Sequence, residues 1–398
     1  MESHQSSTTN AVGLCLLPSE LIQYILLCLP LPDVYRFKSV SKSIALLISD
    51  QDFVRDYNLQ SSSATWLFIY KKRWKRDAVL HGFTDCSNRW FKFLIADTLK
   101  EMIPRCEDLY FLTASGDHFL FALNTSQEVI LVNPVLKTIK RIPPSPLGPR
   151  CTSSWRRSGM KLLSGPPGVG HFRFLFAEMN EDFPVLFEYS SITDKWHSTV
   201  ARENFGVLQR CNGREGDPSF LSIFNGRNES VLIATGSQGE TPVVVRPRFH
   251  GGGNDEGQSA VGFGWGNAIN RLQVYGDGNM VIARSESVDV AKSNTKLLKS
   301  LELWSLSSDG RRWEFISNVP SELIDQIKKP HGVMMGCLEE SKGTVRVVLM
   351  SNFESVWDII WLCYGRGERE WTWVPVPDCK MKGSNLAGIT FSSGLTLS

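Results

Sequence analysis

Four tryptophans set the scale on which this chain repeats itself. Trp90, Trp196, Trp313 and Trp371 each open a strand-like segment behind a turn rich in Asp, Asn or Gly. The stretches are "GFTDCSNRWFKFL", "VLFEYSSITDKWHSTV", "LELWSLSSDGRRWEFIS" and "IIWLCYGRGEREWTWVPV". "VILVNPVLKTIKRIP" has the same shape, with Ile139 in the tryptophan's place. The landmarks recur about every 50–60 residues, with about twice that interval between Trp196 and Trp313. One unit, near 231–285, has therefore lost its Trp. Strand-like runs begin near 66, 119, 172, 231, 280 and 345, which gives six units. A unit of roughly 50 residues and four strands cannot bury its own faces, so the units stack radially as a β-propeller of the kelch type. The recurring Trp is expected to fill the space between neighbouring blades. "LAGITFSS" (386–393) is placed to supply a strand that closes the first blade. The alternative is a β-sandwich whose hairpins are unrelated.

The segment from Leu16 to Tyr57 has a different texture. Pro18 suits a first helical turn, and Leu21, Ile22, Ile25, Leu26 and Leu29 follow with helical spacing. Pro30 and Pro32 stop that helix, and Pro32 opens a second, short one. Ser41 is a cap for a third, with Ile44 to Ile48 as its apolar body. Asp50 or Asp52 starts a last turn containing Phe53. The first helix is apolar on nearly every side, which marks a buried helix. A segment of about 45 residues is too small to bury it unaided. A second covering surface is implied, either the β-domain or another protein, and the Ser-rich run "SSSAT" (61–65) favours the latter.

"LPSELIQYILLCLPLPDVYRFKSVSKSIALLISDQDF" resembles an F-box. The family pattern is matched at Leu17, Pro18, Leu21, Ile25, Leu26, Leu29, Pro30, Arg36, Phe37, Val40, Lys42, Ile48 and Phe53. It departs at Ile44 and Ser41, where many members carry Trp and Cys. The rest of the chain, above all "LELWSL…RRWEFIS" and "REWTWVPVP", is similar to the kelch-like, F-box-associated propellers of plant F-box proteins, including the floral-organ type. The kelch Gly-Gly doublet within blades is missing. The resemblance implies a helical F-box of three to four helices (14–60), a linker (61–65) and an all-β, six-bladed propeller (66–398), after a disordered start (1–13). It implies an adaptor-binding set of Leu17, Pro18, Leu21, Ile25, Leu29, Pro30, Val40 and Lys42, which docks a Skp-type adaptor and through it a cullin–RING ligase. The propeller is then the target-binding domain of a non-catalytic substrate receptor in an SCF ubiquitin ligase, with no cofactor and with the target unknown. A non-degradative F-box scaffold uses the same surfaces.

The remaining residues exclude more than they assert. With 43 basic and 41 acidic residues the formal charge is +2, so no global field favours nucleic acid. Nine cysteines form no C-x-x-C and no zinc spacing, the pattern of scattered thiols in a reducing compartment, nucleus or cytoplasm. No leader and no apolar run long enough to span a membrane is visible. "GFGWG" (262–266) and "GPPGVG" (165–170) lack the helix or the Gly-Lys-Ser/Thr that a nucleotide site needs and read as loops, as does "HGGGNDEGQSAVG" (250–262). His118 and His171 open strands and read as structural positions. No hydrolase or metal motif argues for a propeller enzyme. "KKRWKR" (71–76) is either a solvated loop or an import signal.

Overall fold

The computed structural model describes residues 17–397, apart from 62–63, 72–77, 88, 100–102, 105–106, 135, 151–154, 156–158, 166–170, 182, 204–218, 225–229, 236–240, 250–258, 262, 266–270, 277–280, 291–294 and 380–385. The expected disordered start, the core of the basic run and most of the two Gly-rich loops lie outside the described residues. The chain divides into a helical unit, made of the residues through Ala64 together with Gly394–Ser398, and a β unit, Thr65–Ser393.

Four helices build the first unit. Helix α1 (Ser19–Leu27) starts behind Pro18, and α2 (Leu31–Phe37) behind Pro30. Helix α3 (Lys42–Ile48) is capped by Ser41, whose Oγ accepts from the Ile44 N–H at 3.2 Å. Helix α4 (Gln51–Ser61) is capped by Asp50, whose Oδ1 accepts from the N–H groups of Asp52 and Phe53. Leu26, Leu31, Val34, Ile44, Ile48, Phe53 and Tyr57 form the buried set. The Tyr57 hydroxyl donates to the Leu29 carbonyl at 3.0 Å, and burial together with the Asp33 charge pushes this phenol's pKa up. The last residues of the chain return to α4. Asn58 exchanges two hydrogen bonds with the Leu397 backbone, at 2.7 and 2.9 Å, and Ser61 Oγ donates to the Leu395 carbonyl. Leu395 and Leu397 are buried. The 394–398 segment, read from sequence as part of the β-domain, thus groups with the helices. Ser61, read as the first linker residue, is the last of α4, and Thr65 begins the first strand.

The second unit is a six-bladed β-propeller, six separate sheets packed in ring order, each joined to the next by side chains at the blade interface. Blade 1 combines the C-terminal strand Leu386–Ser393 with Thr65–Lys71, Val79–Thr84 and Phe91–Leu94. Blade 2 runs from Leu109–Ser115 through His118–Leu123 and Val129–Asn133 to Thr138–Ile142, and blade 3 from Gly159–Ser164 through Phe172–Asn180 and Phe183–Ser190 to Lys195–Val200. Blade 4 has Ser219–Phe224, Ser230–Thr235 and Val243–Val245. Blade 5 has Arg271–Tyr275, Val281–Asp289, Lys296–Leu306 and Arg312–Asn318. Blade 6 has Val333–Ser341, Thr344–Phe353, Val356–Gly365 and Glu370–Val374. The six strand starts read from sequence each fall at or beside the start of a blade's second strand: Thr65, His118, Phe172, Ser230, Val281 and Thr344.

Blade interfaces are where the core sits. One cluster joins Leu120 and Leu131 of blade 2 to Phe174, Phe176 and Phe187 of blade 3, and others join blades 3 to 4, 4 to 5, 5 to 6 and 6 to 1. Phe68 and Tyr70 meet Phe119 and Phe121 edge-on between blades 1 and 2. The landmark tryptophans stand at the blades' outer strands and reach back one blade. Trp90 Nε1 donates to Pro377 O and Trp196 Nε1 to Pro143 O, both at 2.7 Å, and Trp371 Nε1 to Ser317 Oγ at 3.0 Å. Each bond ties a blade to the end of the one before it.

Four short strands depart from the expected pattern. Blade 4, the unit without its Trp, takes its outer strand from Arg202–Glu203, which pairs in parallel with Val243–Val244. Arg248–Phe249 adds to the outer edge of blade 5 and Ser259–Val261 to its inner edge, both parallel. Phe263–Trp265 pairs antiparallel with Val333–Met335 of blade 6. The central part of "GFGWG" is therefore a strand and not a loop, as is the end of the Gly-rich run. An exposed blade edge offers unpaired backbone groups, and these residues satisfy them.

Candidate functional site

The helical unit leaves apolar side chains uncovered. Of α1 only Leu26 is buried, while Leu21 is 50% exposed, Tyr24 67% and Ile25 39%. Residues 21, 24, 25 and 28 follow i, i+3, i+4, i+7 spacing, so they share one face of α1. Val40, in the α2–α3 connection, is 63% exposed, and Lys42 stands exposed in the first turn of α3. Pro18 is exposed, and Leu17, Leu29 and Pro30 are half-buried. Leu29 and Pro30 form the α1–α2 junction, held through the bond from Tyr57. Sequence reasoning missed Tyr24 and Leu46, the latter 75% exposed on α3. The i+3 spacing from Leu21 was the signal available for Tyr24. Leu46 carries no such signal, because its neighbours Leu47 and Ile48 are equally apolar.

This arrangement answers the question raised by the all-round apolar helix. The helical unit buries one side of α1, and a stripe of Leu, Tyr and Ile remains. An uncovered apolar stripe of this kind on a small unit is the property of an interaction surface.

In the propeller, one grouping has the composition of a hydrolase relay. Ser164 Oγ lies 3.3 Å from His118 Nδ1, and Asp117 Oδ1 lies 3.2 Å from the same nitrogen. A relay needs hydroxyl and carboxylate on opposite ring nitrogens. Here both face Nδ1, and the Ser164 hydroxyl donates to the Ser115 carbonyl at 3.0 Å. Asn133 Nδ2 holds the other Asp117 oxygen at 2.7 Å. The cluster pins the first turn of blade 2 to blade 3. Among the described residues no group of His, Cys, Asp and Glu has the geometry to hold a metal ion, and no helix is long and apolar enough to cross a membrane.

Two histidines of the β unit, one buried and one half-buried, have their pKa lowered by the fold. His331 is 4% exposed, with Nδ1 against the Lys329 carbonyl and Nε2 against Ser287 Oγ. Burial lowers its pKa and the nearby Lys296 charge lowers it further, against the bond to the Lys329 carbonyl. Burial likewise lowers the pKa of His118, opposed by Asp117. Both take up a proton at lower pH in the fold than in the unfolded chain, which protonates near pH ~6.5, so stability falls as pH drops through that value. The thermal midpoint should decline from pH 7 to 5, and His331→Gln should flatten the decline. An unchanged slope in that variant would remove His331 from the account.

Comparison with known proteins finds the F-box domain family matching residues 14–56. No curated protein matches the chain. Among solved structures, TolB from Acinetobacter baumannii is similar over 83% of this chain and 67% of that one, at 7% identity and a TM-score of 0.40. A chain of the nidogen/laminin complex is similar over 83% and 99%, at 7% identity and a TM-score of 0.39. Likenesses this distant carry nothing about what the propeller binds.

Proposed function

We propose that this chain is the substrate receptor of an SCF-type ubiquitin ligase, with the helical unit docking a Skp-type adaptor and the propeller recruiting a target protein. The observation that supports it is the coincidence of the F-box match at 14–56 with the uncovered apolar residues Leu21, Ile25 and Val40 in the same segment. Leu17, Pro18, Leu29, Pro30 and Lys42 complete the docking set, the apolar members at its centre and Lys42 at its rim. In this reading the protein makes and breaks no bond itself. It holds target lysines near a ubiquitin-charged enzyme, and proximity is its catalytic contribution. The propeller is of the kelch-like, F-box-associated type found in plants, and the complex works in the nucleus or cytoplasm.

The test is co-purification of the full chain with a Skp-type adaptor. The double variant Leu17→Ala, Pro18→Ala should recover at least about tenfold less adaptor, as expected when hot-spot contacts are truncated. Recovery at the wild-type level would overturn the assignment of these residues. Targets should accumulate on the adaptor-blind chain if their fate is degradation.

A further inference from the structure

From Tyr35 to Ser43 the helical unit has no buried side chain, while Val34 before the stretch is 0% exposed and Ile44 after it 5%. Helix α2 ends inside it at Phe37, and α3 begins at Lys42. Ser39 stands exposed in the connection. Its Oγ and its N–H both donate to the Arg36 carbonyl, at 2.7 and 3.2 Å. Water replaces exposed bonds of this kind at small net cost. Opening the stretch uncovers no core residue, which places it at the low-stability end of the unit. Ser39 is therefore a hydroxyl that an enzyme can reach, on a segment that yields to the extended form an enzyme cleft holds.

The charged residues of the stretch are all basic. Arg36 precedes Ser39 by three residues and Lys38 by one, Lys42 follows by three, and no acidic residue lies between Tyr35 and Ser43. The Arg36 side chain is 66% exposed beside Asp33, its ion-pair partner at 3.3 Å. Protein kinases select substrates by charge pattern, and an arginine three residues before a serine suits a kinase with acidic groups beside its cleft. Ser41 has similar neighbours, but it is half-buried and its Oγ accepts from the Ile44 N–H at the start of α3. Val40 and Lys42, both exposed, belong to the adaptor-docking set. A phosphoserine carries about −1.5 to −2 charges at pH 7. Docking would have to strip water from that charge beside Val40, a cost the unmodified hydroxyl does not impose.

We propose that Ser39 is a phosphorylation site for a protein kinase that selects basic substrates, and that its phosphate excludes the Skp-type adaptor. The second part rests on the adaptor-docking reading. In the transfer Ser39 Oγ bonds to the γ-phosphorus of ATP, the bond from that phosphorus to the bridging oxygen breaks to release ADP, and the hydroxyl proton passes to the kinase's catalytic carboxylate. A docked adaptor covers Val40, so kinase and adaptor exclude one another in both directions. The full chain is treated with ATP and a calcium/calmodulin-dependent protein kinase, which selects Arg-x-x-Ser, and phosphate is mapped by mass spectrometry. Ser39 should be modified, Arg36→Gln should slow the modification at least about tenfold, and saturating adaptor should protect the site. The phosphorylated chain should bind immobilised adaptor at least about tenfold more weakly, while Ser39→Ala, treated the same way, should bind as the untreated wild type does. No phosphate at Ser39, or an unchanged rate in Arg36→Gln, would overturn the site. Equal adaptor binding by the phosphorylated chain, or no protection by adaptor, would overturn the exclusion. A chain that binds no adaptor before treatment would remove the docking reading and the exclusion with it, while incorporation at Ser39 still decides the site.

Discussion

A chain that ends at residue 385 will not close its propeller. The strand Leu386–Ser393 is the first strand of blade 1, paired antiparallel with Thr65–Lys71 from Thr65↔Ser393 to Lys71↔Leu386. It buries Leu386 and Phe391, and Phe391 meets the buried Trp361 of blade 6 edge-on at 5.3 Å. Removing a buried Leu and a buried Phe costs on the order of 2–5 kcal/mol each. Whole-protein stability is itself only about 5–15 kcal/mol. The truncated chain should lose its cooperative thermal transition and be recovered as aggregate. A milder version is Gly388→Ala. Gly388 has φ +153°, and a Cβ there would lie 2.6 Å from the Phe111 carbonyl oxygen of blade 2. That approach is too close for real atoms, so the blade 1–2 joint must open, and the midpoint of chemical denaturation should fall clearly. A monomeric 1–385 chain melting like the full protein would show that ring closure by this strand is dispensable.

The second large effect concerns α1. Leu21→Asp with Ile25→Asp should reduce adaptor affinity by at least about 100-fold, because each Ala truncation at such a position costs on the order of 1–2 kcal/mol and a buried carboxylate adds a desolvation penalty. The helical unit should stay folded, since the two side chains are 50% and 39% exposed and surface changes typically move stability within about 0.5 kcal/mol. Leu26→Asp is the contrast, because Leu26 is 1% exposed and its replacement should unfold the unit. Surface-immobilised adaptor and circular dichroism separate the two cases. A folded double variant that binds adaptor as the wild type does would place docking elsewhere.

The blades were legible because their signals are local. A second strand is a run of apolar residues bounded by turn formers, and an outer-strand Trp marks each blade that kept one. The four short strands were not legible. Arg202–Glu203, Arg248–Phe249, Ser259–Val261 and Phe263–Trp265 are two or three residues long and pair with partners far along the chain. Nothing in two residues records a period, and the pairing follows from which blade edge is open. The exposure that separates Leu21 from Leu26 was not legible, since both are leucines in one apolar run. Ser164 was invisible as a partner of His118 and Asp117, because only the packing of blade 3 on blade 2 brings them to one place.

Leu386–Ser393 follows every other blade strand along the chain, so it is synthesised after them. Blades 2 to 6 can assemble while the ribosome is still at work, but blade 1 must wait with three strands until its partner emerges. The five residues after that strand then complete the packing of α4. Contacts between the two ends of a sequence are the slowest to form. A ribosome-bound or prematurely terminated chain therefore carries a full F-box sequence without the finished ring. Emergence of this strand becomes a checkpoint on the fold itself.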